Sequence, residues 1–219
     1  MYEDRALIGC IKPAGVSSES AAPGGEGMPE LLQSQCGAQR IFCVHRLDKP
    51  VCGAMLYAKD GKTAAAISAM LGERHVLKQY LAVVHGVPDA PAATLRDLLF
   101  HDRTKNKTYV VQRPRRGVKD AELDYTLLQT VQTERGALSL LRITLHTGRT
   151  HQIRAQFAAR RLPLVGDSRY GSPLRGGNLA LLSHRLRLPH PLTGEMLELC
   201  APAPDAWPWT LFSPVSDSE

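Results

Sequence analysis

One carboxylate in the stretch VHRLDKPVCGAMLYAKD, residues 44–60, lies among cations. Asp48 follows His45 and Arg46 and precedes Lys49, directly before an apolar run. An acid in such a setting is commonly a surface salt bridge or a turn residue. It also suits a reaction that needs a single acid. Glycoside hydrolysis typically uses two carboxylates, and no second acid accompanies Asp48.

A second group of polar side chains follows a predicted strand, in TGRTHQIR. Thr150 is a plausible N-cap of the next helix, with Arg149 just ahead of it and His151, Gln152 and Arg154 in the first turn. A helix N-terminus presents unpaired N–H groups and partial positive charge, so this segment could hold a phosphate or a carboxylate. A basic, solvated helix start with a threonine cap explains the same residues equally well.

Composition narrows the class of protein. The 219 residues carry a formal charge of +6, with a pI of about 9.2, which favours a polyanionic partner. Many of the cations lie in HDRTKNKTYVVQRPRRGVKD, residues 101–120, which predicts either a solvated hairpin or a surface for a phosphate backbone. The five cysteines form no CxxC pair and their number is odd, which indicates free thiols in a reducing cytoplasm.

Several kinds of site and segment find no support in the sequence. The histidines show no metal-ligand spacing, so we expect no metal. Neither a phosphate-binding glycine loop nor a GxSxG elbow is present. The N-terminus does not resemble a signal peptide, and no apolar run approaches the length of a membrane span. We expect no exposed apolar stripe and therefore a monomer.

The sequence predicts both strands and helices around these residues. GKTAAAISAMLGER has Ala64 and Ile67 at helical spacing, with Asp60 as its cap, and THQIRAQFAARR places Ile153 and Phe157 on one helix face. LSLLRITL alternates like a half-buried strand, and KQYLAVVHGV and AELDYTLLQTV are also strand-like. Few connections could hold crossover helices. The sequence therefore predicts the α+β class, with a large, mixed and mostly antiparallel sheet flanked by helices and loops.

The composition along the chain indicates how it is divided into domains. Only Ser17–Glu30 is rich enough in Ser, Gly and Pro to be a clear loop, and no second break in composition occurs. We therefore expect one catalytic domain over residues 1–219, with an irregular tail at 204–219.

Five segments together resemble the RluA-type pseudouridine synthases. They are IKPAG, VHRLDKPVCGAMLYAKD, KQYLAVVHG, LHTGRTHQIRAQFAARRLPLVGDSRYG and LLSHRLRLPHPLTGEMLELCAP. The resemblance spans roughly residues 8–204, and HRLD followed by TGRTHQIR and GDxxYG is highly specific. It implies the pseudouridine synthase fold and the isomerisation of uridine in ribosomal or transfer RNA, without a metal or cofactor.

The resemblance also implies roles for individual residues. Asp48 is the essential acid, which either attacks C1′ or abstracts a sugar proton. Arg149 pairs with it, because a carboxylate covered by a base loses hydration and needs a cation to stay charged. Tyr80 stacks on the uracil, and Leu182 lines the pocket. Base flipping and RNA binding fall to Arg46, with His45, Lys78, Thr150, His151, Gln152 and Arg154.

The sequence departs from the family pattern in three places. Some relatives carry an N-terminal S4-type RNA-binding domain, and we expect none before Ile8. Val51 and Cys52 stand where the family has Thr and Ser, although Gly53 is kept, so we expect altered support of the loop. LLSHR replaces the usual LLHA, which predicts different packing under the pocket. A non-catalytic RNA-binding protein on the same fold is the main alternative. Retention of Asp48, Tyr80 and Arg149 argues against it. A nucleoside hydrolase is disfavoured by the basic charge and the missing second acid.

Overall fold

The computed structural model describes residues 2–21, 25–38, 40–71, 76–174 and 176–215. Three helices occur in this part of the chain: α1 (Met28–Cys36), α2 (Gly61–Met70) and α3 (Gln152–Ala159). The strands are β1 (Tyr2–Glu3), β2 (Leu7–Lys12), β3 (Phe42–Cys43), β4 (Cys52–Ala58), β5 (Leu77–His85), β6 (Ala92–Asp102), β7 (Lys107–Val111), β8 (Val118–Thr133), β9 (Gly136–Leu145), β10 (Leu181–Pro189) and β11 (Met196–Cys200).

The chain divides into two compact units. Unit 1 comprises Met1–Gln79 and Leu182–Pro202, and unit 2 comprises Tyr80–Leu181 and Ala203–Glu219. The predicted single domain over 1–219 stays a prediction.

Unit 1 is built around β4, whose residues from Gly53 to Ala58 are all buried. The β2 strand pairs with it antiparallel along its length, β3 pairs antiparallel at its end, and β10 runs parallel to it at its start. Burial on both faces explains the continuous apolar run GAMLYA. The predicted helix follows as α2, with Ile67 fully buried and the Asp60 carboxylate accepting the Thr63 N–H at 2.8 Å.

Unit 2 contains long antiparallel strands, with β6 between β7 and β8, and β9 on the far side of β8. The alternation predicted for β9 is confirmed from Leu141 to Leu145, where the leucines and Ile143 are buried and Arg142 and Thr144 are partly exposed; residues 138–140 before them are all buried. The predicted apolar face of α3 is also buried, and Phe157 packs edge-on against Tyr125 with ring centroids 5.6 Å apart. A short 3-10 turn, Trp209–Leu211, interrupts the tail, which is otherwise irregular as far as residue 215.

The fold class is confirmed. Strand pairing within the units is antiparallel except for β4 and β10, and the helices are few and short, so the protein is α+β with mixed, mostly antiparallel strands. No helix among the described residues is long and apolar enough to cross a membrane.

Candidate active site

The loop that carries Asp48 is fixed on its N-terminal side by Ser18 of unit 1. The Ser18 hydroxyl donates to the Leu47 carbonyl at 2.8 Å and accepts the Leu47 N–H at 3.0 Å. On the other side the Val51 N–H donates to the Asp48 carbonyl at 2.9 Å, which closes a tight turn. The backbone on both sides of Asp48 is therefore held, and its half-buried side chain starts from a defined position.

A buried lysine ties the N-terminal segment to the same loop. Lys12, in the KPAG segment, is fully buried, and its ammonium donates to the carbonyls of Pro13 (2.9 Å), Val16 (2.8 Å) and Lys49 (3.1 Å). Lys49 directly follows Asp48 in the chain. Three carbonyls satisfy the three donors of the ammonium, which is how a lysine is accommodated in an interior.

Lys12 also places positive charge close to Asp48. Burial lowers the pKa of Lys12 to about 8, while the neighbouring Cys52 and Asp48 act in the opposite direction and favour the ammonium. Sequence reasoning did not single out this residue; the KPxG segment was the signal that could have found it. An ionised Asp48 thus has a cation from its own unit nearby.

The start of β4 leaves no space for a side chain at Gly53. Its φ is +123°, and a Cβ atom would lie 2.3 Å from the Ser183 carbonyl oxygen of β10. This close approach explains why glycine is kept there although Val51 and Cys52 differ from the family pattern. Leu182, the predicted pocket residue, is buried opposite Cys52 in the parallel ladder.

The departures from the family pattern are accommodated within unit 1. Val51 is almost fully buried, and Ser183 donates from its hydroxyl to the Ala54 carbonyl at 3.0 Å. His184 is buried and its Nδ1 donates to the Ala201 carbonyl at 2.8 Å. The polar side chains of LLSHR therefore find partners, and they support the strand on which Leu182 lies.

The His45 ring is engaged inside unit 1. Its Nε2 accepts the N–H of Leu56 at 3.0 Å, so this nitrogen is unprotonated. Burial lowers the pKa of His45 to about 4, with a further contribution from the charge of Lys78. Lys78 is half-buried, its ammonium donates to the Leu71 carbonyl at 3.1 Å, and burial lowers its pKa. Both residues lie in the unit that carries Asp48, and their predicted RNA-binding roles stay predictions.

Arg46 differs from both of these residues because it is exposed. Its guanidinium pairs with Glu19 at 2.9 Å, and about 60% of the side chain is accessible. An exposed ion pair of this kind costs little to break. The predicted role of Arg46 in base flipping stays a prediction.

The turn that carries Arg149 lies in unit 2 and is organised by Gln152. The Gln152 Oε1 atom accepts the Arg149 N–H at 3.0 Å and the Thr147 hydroxyl at 2.8 Å, and its Nε2 donates to the Glu122 carbonyl at 3.1 Å. The Arg149 Nε donates to the Asp120 carbonyl of β8 at 2.9 Å. Gln152 thus acts on the position of Arg149 through the backbone.

The prediction that Thr150 is the N-cap is wrong. The helix α3 begins at Gln152, and its N-cap is His151, whose backbone is left-handed with φ of 53° and whose side chain makes no cap hydrogen bond. The reason is that residues 149–152 form a turn, in which the Gln152 N–H donates to the Arg149 carbonyl at 3.0 Å, and the Ala155 N–H then bonds to the His151 carbonyl at 2.9 Å as the helix begins. The Thr150 carbonyl instead accepts the Thr108 hydroxyl at 2.8 Å.

The other predicted residues of this segment have buried partners. His151 is buried, with its Nδ1 3.0 Å from the Tyr170 hydroxyl. The guanidinium of Arg154 donates twice to the Asp167 carboxylate, at 2.7 and 2.8 Å, and both side chains are almost fully buried. This geometry favours a supporting role, and direct RNA contacts by His151, Gln152 and Arg154 stay predictions.

The structure thus groups the predicted residues by unit. Asp48, His45, Arg46, Lys78 and Leu182 belong to unit 1, and Arg149, Thr150, His151, Gln152 and Arg154 belong to unit 2. Tyr80 is half-buried on β5 and is the first residue of unit 2. The pairing of Asp48 with Arg149 stays a prediction. The described residues contain no group of three or more His, Cys, Asp or Glu side chains arranged to hold a metal.

Two solved human proteins have a similar fold. RNA pseudouridylate synthase domain containing 4 matches with a TM-score of 0.75 and 23% identity, over 93% of this chain and 88% of its own. RNA pseudouridylate synthase domain containing 1 matches with a TM-score of 0.76 and 24% identity, over 92% of this chain and 81% of its own. At these identities the likeness shows the fold alone, which is the predicted pseudouridine synthase fold.

Comparison of sequences finds relatives with higher identity than these two solved structures. An uncharacterized RNA pseudouridine synthase of Synechocystis sp. is 34% identical over 218 residues, covering 93% of this chain and 65% of the relative. A ribosomal large subunit pseudouridine synthase D of Xanthomonas campestris is 32% identical, covering 94% and 66%. The chain thus spans slightly less than two thirds of these two relatives. A tRNA pseudouridine synthase C of Pasteurella multocida is 28% identical, covering 94% and 92%.

The family model described as RNA pseudouridylate synthase matches residues 6–159. That range contains Lys12, Asp48, Tyr80 and Arg149, with the hydrogen bonds that fix the Asp48 loop and the Arg149 turn. Family, fold and local geometry therefore agree, and the chain belongs to the RNA pseudouridylate synthase family.

Proposed function

We propose that the protein is an RNA pseudouridine synthase, an isomerase acting on uridine in ribosomal or transfer RNA. The observation that carries the proposal is Asp48, retained in HRLD inside the region that the family model matches, on a loop fixed from both sides. The reaction breaks the N1–C1′ bond and forms a C5–C1′ bond. The proton on C5 leaves and N1 gains one, so the atoms balance without a cofactor.

Asp48 supplies the carboxylate for this reaction. It attacks C1′ or removes a sugar proton, and in both cases it must be ionised when the base covers it. The ammonium of Lys12, in the same unit, is close enough to interact electrostatically with this carboxylate. In our proposal Arg149 adds the second positive charge as the partner of the carboxylate.

The substrate uridine must leave its stack before the carboxylate can reach C1′. Extrusion of a base costs a few kcal/mol. In our proposal Tyr80 stacks on the extruded uracil, Leu182 closes the pocket, and Arg46 fills the space that the nucleotide leaves. The exposed ion pair of Arg46 supports this last role, since the arginine is not committed to a buried partner.

The test is to incubate the protein with unmodified rRNA and tRNA transcripts, digest the RNA, and measure pseudouridine by chromatography. We expect product from the wild type and none from Asp48→Asn. Asp89→Asn is the matched control, because Asp89 is an exposed aspartate outside the proposed site and should not change the yield. Tight RNA binding without product from the wild type would overturn the proposal in favour of a non-catalytic RNA-binding protein.

The predicted cytoplasmic location, which rests on an odd number of cysteines without a CxxC pair, remains part of the proposal. The predicted monomer, which rests on the expected lack of an exposed apolar stripe, also remains part of it.

A further inference from the structure

The positive charge of the protein is concentrated in residues 103–119, which we call the basic segment. It contains seven Lys or Arg residues and no acid, whereas the whole chain has a net charge of +6. The rest of the chain therefore has a net charge of about −1. The seven cations are Arg103, Lys105, Lys107, Arg113, Arg115, Arg116 and Lys119.

Most of these cations are exposed, and the described residues offer them no carboxylate partner. Six are exposed, Lys107 is half-buried, and none of the seven forms an ion pair with a carboxylate of the residues that the structure describes. Arginines elsewhere do have such partners, as Arg96 has in Glu122 and Arg160 in Asp97. A dense group of unpaired cations repels itself and attracts polyanions.

The basic segment is held in one conformation near its turn. The Thr108 N–H donates to the Tyr170 hydroxyl at 2.7 Å, and the Arg169 guanidinium donates to the carbonyls of Asn106 at 2.6 Å and Lys105 at 3.1 Å. The ammonium of Lys107 lies 5.2 Å from the centre of the Tyr170 ring. A surface organised before binding loses less entropy when a ligand docks.

The same segment contacts the turn of the proposed catalytic arginine within unit 2. The Arg149 Nε donates to the carbonyl of Asp120, the residue after Lys119. The Thr108 hydroxyl donates to the carbonyl of Thr150, the residue after Arg149. A phosphate backbone lying along the basic segment would therefore pass beside Arg149.

We propose that the basic segment binds the RNA phosphates that flank the target uridine. This inference rests on the proposed function, because it takes RNA as the ligand and Arg149 as part of the catalytic site. Contacts to phosphate fix the position of the RNA without reading its sequence. Such contacts would offset part of the cost of base flipping.

The experiment compares two triple variants that remove equal charge. The first is Arg113→Gln with Arg116→Gln and Lys119→Gln, which leaves Arg115 packed on Phe100. The control is Arg5→Gln with Lys62→Gln and Arg135→Gln, three exposed cations outside the segment. The dissociation constant for an unmodified tRNA or rRNA transcript is measured from about 50 to 300 mM salt, and turnover is measured at saturating RNA.

We expect the segment variant to bind about ten- to a hundredfold more weakly, with a salt slope flatter by about two to three, since three phosphate contacts are lost. Turnover of the wild type at saturating RNA tests the proposed function separately. The control should keep the slope of the wild type. Equal losses in the two variants, or an unchanged slope in the segment variant, would overturn the inference. If the wild type makes no pseudouridine and the difference in slope persists, the proposed function fails while the RNA surface stands.

Discussion

The Asp48 loop and the Arg149 turn are held in different ways. The Asp48 loop depends on residues about 30 or more positions earlier in the chain, since Lys12 and Ser18 bond to the backbone beside it. The Arg149 turn depends on Gln152, only three residues later, and on carbonyls of β8. Both regions thus depend on contacts between segments far apart in the sequence. The Asp48 loop is held directly by distant side chains, whereas the Arg149 turn is held by a local side chain, Gln152, that bonds in turn to β8.

The largest effect on stability should come from a change beside the Asp48 loop. We expect Lys12→Met to lower the free energy of unfolding by about 3 kcal/mol, because three carbonyls lose a charged donor in the interior. Chemical denaturation measures the change. Lys62→Met, at an exposed lysine of α2, should cost less than about 0.5 kcal/mol. Equal midpoints for the two variants would show that the buried ammonium does not hold the loop.

The next largest effect should come from a change in the Arg149 turn. Gln152→Leu removes three hydrogen bonds and should lower the free energy of unfolding by about 2 kcal/mol. Turnover should fall about a hundredfold, because Arg149 loses its fixed position. Gln152→Glu keeps the acceptor for the Arg149 N–H and should recover part of the turnover. If the two variants lose turnover equally, the acceptor does not position Arg149.

A smaller effect is expected from pH, through His45. Its pKa is about 4 in the folded protein and near 6.5 when unfolded, because burial and the charge of Lys78 disfavour the cation. As the pH falls from 6.5 to 4, the unfolded state takes up the proton first, so stability falls through this window and the loss is complete below it. We expect the wild type to lose about 2 kcal/mol more than His45→Gln, measured by denaturation at each pH. Parallel curves would contradict this.

The smallest effect on stability should come from Arg46. Its exposed pair with Glu19 predicts a change below about 0.5 kcal/mol in thermal unfolding of Arg46→Ala. Its proposed part in flipping predicts a fall in kcat/KM of about tenfold or more. Glu19→Gln breaks the same ion pair but keeps the arginine, so it should leave kcat/KM unchanged. A similar loss in both variants would point to the ion pair rather than to flipping.

The sequence predicted the regular elements well where periodicity is strong. The strands β5, β8 and β9 and the helix α2 with its Asp60 cap follow from alternation, helical spacing and a capping residue, all of which are local signals. The helix α1 was not predicted. Its first residues lie in a stretch rich in Ser, Gly and Pro that predicted a loop as far as Glu30, whereas the helix begins at Met28. The Glu30 carboxylate, which accepts the Gly27 N–H at 2.8 Å, was the missed signal.

The identity of the site residues could be predicted from the sequence, whereas the contacts that hold them in place could not. The resemblance identified Asp48, Tyr80 and Arg149, but burial of Lys12 depends on carbonyls from two separated segments, which no local pattern encodes. The same holds for the start of α3. Thr150 fits the usual preference at an N-cap, but a turn over residues 149–152 comes first and the helix starts one residue later than predicted.

The most direct test of the central claim follows the proton on C5 of uridine. RNA transcribed with tritium at this position releases tritium into water when the C5–C1′ bond forms. We predict release by the wild type in proportion to the sites modified, and none above background by Asp48→Asn, which should still fold and bind RNA. Release by Asp48→Asn at the wild-type rate would contradict the assignment of the catalytic acid to Asp48.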